Sequence, residues 1–201
     1  MPRDASDTRQ QLDDAGRPLF ARSGVYQTPL KQIVEDAGQK NSSALHYHFG
    51  GRGGLLAAIL ETGNSQVEVD RKDLLDSFGD RATLDQLVQA VTYPLARQIK
   101  TAEGREFIII ISQLQDKFNL WDTASETPAQ ALRAFLAIAD RLDSELDVPT
   151  RRERIELFLG LVVSSLGSRA RQRQRGEEPP LLGQDFIENL VTMSVGALQA
   201  R

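Results

Sequence analysis

Residues 24–56 read GVYQTPLKQIVEDAGQKNSSALHYHFGGRGGLL, and this stretch decides the fold. Thr28-Pro29 offers a helix N-cap followed by proline in the first turn. Leu30, Ile33, Val34 and Ala37 then recur at helical spacing on one face. Gly38 interrupts the pattern, and Asn41-Ser42-Ser43 offers a second helix start, anchored by Ala44 and Leu45. Helices this short are marginal alone in water, so the pair needs a third helix to pack on. The segment before it supplies one, through Leu12, Leu19 and Phe20. Three helices with a glycine-bearing turn make the geometry of a helix-turn-helix.

Outward from that stretch the chain reads as helix after helix. Period-two alternation is scarce, and no tight Gly-Asn hairpin turns appear. Nine helices are expected, over residues 6–23, 29–37, 41–47, 53–78, 83–100, 103–118, 128–146, 151–175 and 184–200. Thr83 to Gln86 and Thr150 to Glu153 carry the capping-box pattern, and Thr127-Pro128 repeats the Thr-Pro start. Pro18 falls inside the first helix, where a kink or a later start is expected. The gaps near 119–126 and 176–183 are too short for domain linkers. The fold class is therefore all-α: a three-helix head, residues 1–52, joined to a helical bundle, residues 53–201.

Composition narrows the function classes. The chain has 201 residues and no cysteine, which excludes a disulfide framework or thiolate metal site and suits a reducing cytoplasm. Its first ten residues are polar and lack the apolar centre of a leader. The apolar runs at 107–111 and 157–163 fall far short of the roughly 20 residues of a membrane span. Net charge is −4, but nucleic-acid affinity depends on where cations sit and not on their sum. A Gly-rich phosphate loop, a Gly-x-Ser-x-Gly elbow and a metal-ligand set are all missing from the sequence, so no enzyme and no cofactor is expected. His46 and His48 stand two apart and point to different helix faces, which does not make a metal site.

Gly24, Thr28, Ile33, Ala37-Gly38, Leu45, Tyr47-His48-Phe49, Arg52 and Leu55-Leu56 together resemble the signature of the tetracycline-repressor (TetR) family of bacterial transcriptional regulators. The resemblance covers about the first quarter of the chain; the remainder matches in architecture. It departs at the turn, where Gln39 and Lys40 stand between Gly38 and Asn41 and the family usually has one residue. It implies a cytoplasmic DNA-binding repressor, acting as a homodimer on a palindromic operator in double-stranded DNA and released by a small-molecule effector. The alternative is a helical ligand-binding or scaffold protein that does not bind DNA.

Site residues follow from position within that frame. Lys40, Asn41, Ser42, Ser43 and His46 occupy the start and outward face of the recognition helix, where such side chains can hydrogen-bond base edges. Tyr47 and His48 end it and suit phosphate contacts. Thr28 caps the preceding helix, whose N–H groups can receive a phosphate, and Arg52 is a second phosphate clamp by the resemblance. In the bundle, Tyr93, Phe107, Ile111, Leu114, Phe118, Trp121, Phe135 and Phe158 are candidates to line an apolar or amphipathic effector pocket. The last two helices place Leu159, Val162, Val163, Leu166, Phe186, Leu190, Met193 and Ala197 on broad apolar arcs suited to a four-helix dimer interface. The run Arg169, Arg171, Arg173, Arg175 reads as a solvated helix end that complements the dipole.

Overall fold

A computed structural model describes residues 5–41, 43–115, 127–181 and 183–200. Among them are nine helices: α1 (Ala5–Ser23), α2 (Leu30–Asp36), α3 (Ala44–Phe49), α4 (Arg52–Phe78), α5 (Leu84–Gln98), α6 (Ala102–Gln113), α7 (Ala129–Arg141), α8 (Val148–Gln174) and α9 (Gly183–Gln199). None is long and apolar enough to cross a membrane.

The head forms where α1 meets α2, α3 and the start of α4. Leu12, Leu19 and Phe20 of α1 bury against Ile33, Val34, Ala44, Leu45, Leu55 and Ile59. Gly16 permits the close approach. A Cβ there would lie 2.8 Å from Leu55 Cδ2 and 3.5 Å from Ile33 Cγ2. α1 runs unbroken across Pro18, so its start is not delayed.

The turn after α2 has a defined construction. Gly38 takes φ 64°; its N–H donates to Glu35 O at 2.9 Å, and the Gln39 N–H donates to Val34 O at 3.0 Å. This is the Schellman pattern, which satisfies the last carbonyls of a helix and turns the chain out of it. The Asn41 side chain then accepts from the Ser43 N–H at 2.9 Å. α3 therefore begins at Ala44, three residues later than expected.

α4 leaves the head and continues into the body, where Val67, Arg71 and Leu75 are buried. The body core joins α4, α5, α6, α7, α8 and α9. Phe107, Ile108 and Ile110 of α6 pack with Ile155, Phe158, Val162 and Leu166 of α8. Each such side chain contributes about 1.5–3 kcal/mol on burial. Gly63 lets α4 lie against α6, since a Cβ there would run into the Phe107 ring.

Helix starts follow capping chemistry. Thr83 and Gln86 form the expected capping box, with Thr83 N–H to Gln86 Oε1 at 2.9 Å. α8 starts earlier than expected, because Asp147 accepts from the Thr150 N–H at 2.9 Å and Pro149 fits the first turn. Pro128, at the N-cap of α7, supplies no side-chain cap. Glu68 of α4 substitutes, its Oε2 accepting from the Gln130 N–H at 2.8 Å.

Among the described residues, two hydrogen bonds join head and body beyond α4. Arg17 Nε of α1 donates to Glu106 Oε2 of α6 at 3.0 Å, and Gln113 Nε2 of α6 donates to Ala21 O at 2.9 Å. α6 thus lies along α1, and displacement of α6 reaches the head directly.

Candidate nucleic-acid interface and effector cavity

α3 is the exposed element of the head. Ala44 and Leu45 fix it to the core, and its other face is open. Lys40, Asn41, Ser43 and His46 are exposed, and Tyr47 is 83% exposed, extreme for an aromatic residue. The Tyr47 and His48 rings meet edge to face at 5.0 Å. Ser42 lies outside the described residues.

Two of the expected phosphate-contacting residues are engaged in the loop between α1 and α2. Thr28 is fully buried, and its hydroxyl donates to Gly24 O at 2.7 Å. Pro29, not Thr28, holds the N-cap position of α2, without a side-chain cap. A local capping rule is overridden here by burial of the α1–α2 loop. Arg52 reaches back to the same loop: its Nη1 donates to Thr28 O at 2.7 Å and to Val25 O. Half-buried, it clamps the loop. Arg52→Ala is expected to destabilise the head by about 1.5–3 kcal/mol, the range for hydrogen bonds to a charged group. Denaturant unfolding would measure this, and unchanged stability would show that the clamp contributes nothing.

Sequence reasoning missed several contributors. Tyr26 is 59% exposed on the loop that Arg52 clamps; no periodic pattern marks a loop residue. Arg9 of α1 donates to His48 O at 2.9 Å and lies 4.5 Å from the Phe49 ring centroid. Gln39 Nε2 donates to Gln11 Oε1 at 2.7 Å, tying the turn to α1. These contacts fix the angle of α3.

In the body, a cavity of about 330 Å³ opens between α4, α5, α7, α8 and the end of α6. Of the expected lining residues, Ile111, Leu114 and Phe135 are there, with Leu60, Val91, Leu95 and Ala131. Phe107 and Phe158 are not; they are spent in the core, 2% and 1% exposed. Tyr93 is half-buried on α5 and faces α9, where the charge of Glu188 is felt. Phe118 and Trp121 lie outside the described residues. Leu159 and Val163, expected at the dimer face, line this cavity instead.

Polar groups in the cavity went unread. Asn64, Arg71, Gln115 and Glu156 all line it. Arg71 is 3% exposed; its Nη1 pairs with Glu68, and its Nε donates to Ala90 O at 3.3 Å. Burial pulls the Arg71 guanidinium below its ordinary value, and Glu68 opposes that pull. The signal was present, since Arg71 falls in the buried phase that includes Val67 and Leu75.

The outer face of α8 and α9 differs from the expected one. Val162, Val163, Leu166 and Leu190 are buried within the subunit, and Phe186 is half-buried. Leu157 is 64% exposed and Met193 55% exposed, and Ser164, Ser168, Gly196 and Ala197 are open beside them. An arc apolar over most of a helix leaves its inward direction undecided; here Val162, Val163, Leu166 and Leu190 turn in, while Leu157 and Met193 turn out among small residues.

A three-helix head with an outward second helix of its turn motif, carried on a helical body, is the architecture of a helix-turn-helix DNA-binding regulator. No family profile matches the chain. Two regulators from Pseudomonas putida resemble it in sequence. The HTH-type transcriptional regulator SrpR is 26% identical over 181 residues, 85% of this chain and 80% of SrpR. TtgW, named as an uncharacterized HTH-type transcriptional regulator, is 31% identical over 96 residues, 47% of this chain and 71% of TtgW. Among solved structures, a TetR-family regulator from Vibrio parahaemolyticus shares the fold with a TM-score of 0.57 at 17% identity, covering 96% of this chain and 99% of that one. FadR of Bacillus subtilis, solved with stearoyl-CoA, has a TM-score of 0.60 at 16% identity, covering 95% of this chain and 97% of FadR. The chain belongs to the HTH-type transcriptional regulators and has the fold of their TetR family.

Proposed function

We propose that two copies of this chain bind a palindromic operator and repress transcription, and that a small apolar or amphipathic molecule in the α4–α8 cavity releases them. The observation that carries the reading is the open face of α3 and of the turn before it: Lys40, Asn41 and Ser43 in the turn and His46 and Tyr47 on the helix are all exposed, and the helix's other side is packed. Residues 1–52 with the first turns of α4 are the reading head, and the remainder holds effector and partner. Thr28 and Arg52 act in the head by fixing the loop behind α3. One short helix reads few bases, so a two-fold pair is needed for a specific site.

The cavity suits the effector role because its wall is apolar with a few fixed polar groups. The stearoyl-CoA bound to FadR is an amphipathic ligand in a protein of this fold. Release is a population shift. The effector must bind better to the form in which the two α3 helices are misplaced for DNA. α4 is the lever, since it lines the cavity with Leu60, Asn64 and Arg71 and packs the head with Leu55.

Selection of bound fragments from a random duplex library, with a salt titration, tests the DNA reading. A palindrome is expected, held less tightly as salt rises. Lys40→Ala should change the preferred bases and cost about 1–3 kcal/mol on the selected site. No enrichment at low salt would overturn the reading. The partner face is tested by Met193→Glu, which sets like charges against each other across a two-fold axis. A dimer by light scattering in the unaltered chain and a monomer in the variant are expected; a dimer in both would place the interface elsewhere.

A further inference from the structure

Three positive charges converge on a second concavity, at the junction of α5, α8 and α9. It encloses about 320 Å³, with Ile99, Phe186 and Ile187 on its apolar wall and Lys100, Arg169 and Arg173 as its charged members. No carboxylate is among the residues that line it. Other arginines of the body meet acids, as Arg71 meets Glu68, Arg97 meets Asp70 and Arg133 meets Asp76, or donate to backbone carbonyls, as Arg141 and Arg154 do. Among the described residues Lys100, Arg169 and Arg173 pair with no acid.

The Arg169 guanidinium is held in place. It lies 3.8 Å from the Phe186 ring centroid and donates to Leu181 O. Burial and then the charge of Arg173 press it below its ordinary value. A fixed guanidinium beside a second one, over an apolar floor, is a costly arrangement when empty of anions and a favourable one around an anion. Two forks and an ammonium match the several oxygens of a phosphate better than a single carboxylate.

We propose that this concavity is a second ligand site, distinct from the effector cavity, which takes a phosphate monoester of a small apolar or aromatic molecule. The phosphate meets Lys100, Arg169 and Arg173, and the organic body lies on Ile99, Phe186 and Ile187. Occupancy bears on the head, because α5 leads through a tight turn into α6. The Thr101 hydroxyl accepts from the Gly104 N–H at 3.0 Å in that turn, and α6 is bonded to α1 through Glu106 and Gln113.

Phenyl phosphate is the probe, titrated calorimetrically into the full chain at low salt, with phenol as the uncharged control. Saturable binding of one phenyl phosphate per subunit is expected, with none for phenol. Arg173 is exposed, so Arg173→Ala leaves the fold intact and should weaken binding by about tenfold or more. Arg169→Lys keeps the charge but loses the fork and the stacking, and should weaken it as well. Arg81→Ala, at an exposed arginine outside the concavity, should leave it unchanged. A flat titration, equal binding of phenol, or affinity indifferent to Arg173→Ala would each overturn the proposal. If the titration is flat and Arg173→Ala instead lowers the salt dependence of operator binding, the phosphate is that of DNA and the small-molecule site is refuted.

Discussion

Gly54→Ala is expected to reduce operator binding by about two orders of magnitude while most of the helical content survives. Gly54 stands in the first turn of α4, directly after the Gly50-Gly51 turn that ends α3. A Cβ at this position would overlap the carbonyl oxygen of Phe49 and lie 2.9 Å from its carbonyl carbon. Both are backbone atoms, so no rotamer change relieves the contact. Overpacking costs about 1–3 kcal/mol where side chains can yield, and more where they cannot. The start of α4 must move away from the end of α3, which carries off Arg52 and its hold on the Val25 and Thr28 carbonyls. α3 then loses the angle at which it presents His46 and Tyr47. The body, whose core is made by other helices, keeps its structure. Gly53 is the internal control. A Cβ there meets nothing within 4 Å, so Gly53→Ala should leave binding intact and stabilise the helix by about 0.5–1 kcal/mol. Circular dichroism with operator binding by fluorescence anisotropy separates the two. Native affinity in Gly54→Ala would show that α4 does not fix α3.

What the sequence allowed to be read was local, and what it concealed was tertiary. Helical periodicity and the Thr83–Gln86 box placed most elements within a few residues. The glycine at 38 marked the turn because only a left-handed residue ends α2 there. The start of α3 was misplaced by the same kind of local rule: Asn41 looks like a cap, yet its side chain closes a turn onto Ser43. Thr28 and Thr150 were read as caps from their neighbours alone. One is buried under the head, and the other is displaced by Asp147. The cap of α7 comes from Glu68, 62 positions earlier, which no window along the chain could reveal. Phe107 and Phe158 illustrate the same limit for the cavity. Large apolar side chains at helical spacing do not say whether they fill a core or line a hole.

Glu68→Ala is expected to destabilise the body by about 3–5 kcal/mol, the cost of leaving one member of a buried ion pair alone. Glu68 holds two elements with one carboxylate. One oxygen pairs with Arg71, and the other accepts from the Gln130 N–H at the start of α7. Its removal leaves the Arg71 charge at 3% exposure with, among the described residues, the Ala90 carbonyl as its remaining hydrogen-bond acceptor. It also leaves the first turn of α7 without its cap, a loss of about 1 kcal/mol on its own. The pair is not a source of net stability, since taking both charges out of water offsets most of their attraction. The double variant Glu68→Ala with Arg71→Met should therefore recover most of the loss, short of the cap. Denaturant unfolding of the two single variants and the double measures the coupling directly. Additive effects would show that the two side chains do not act as a unit. The functional consequence follows from position: Arg71 lines the cavity and Glu68 pins α4 to α7. A ligand anion that competes for Arg71 loosens that pin, and the double variant, having neither charge, should bind operator normally but respond weakly to an anionic effector.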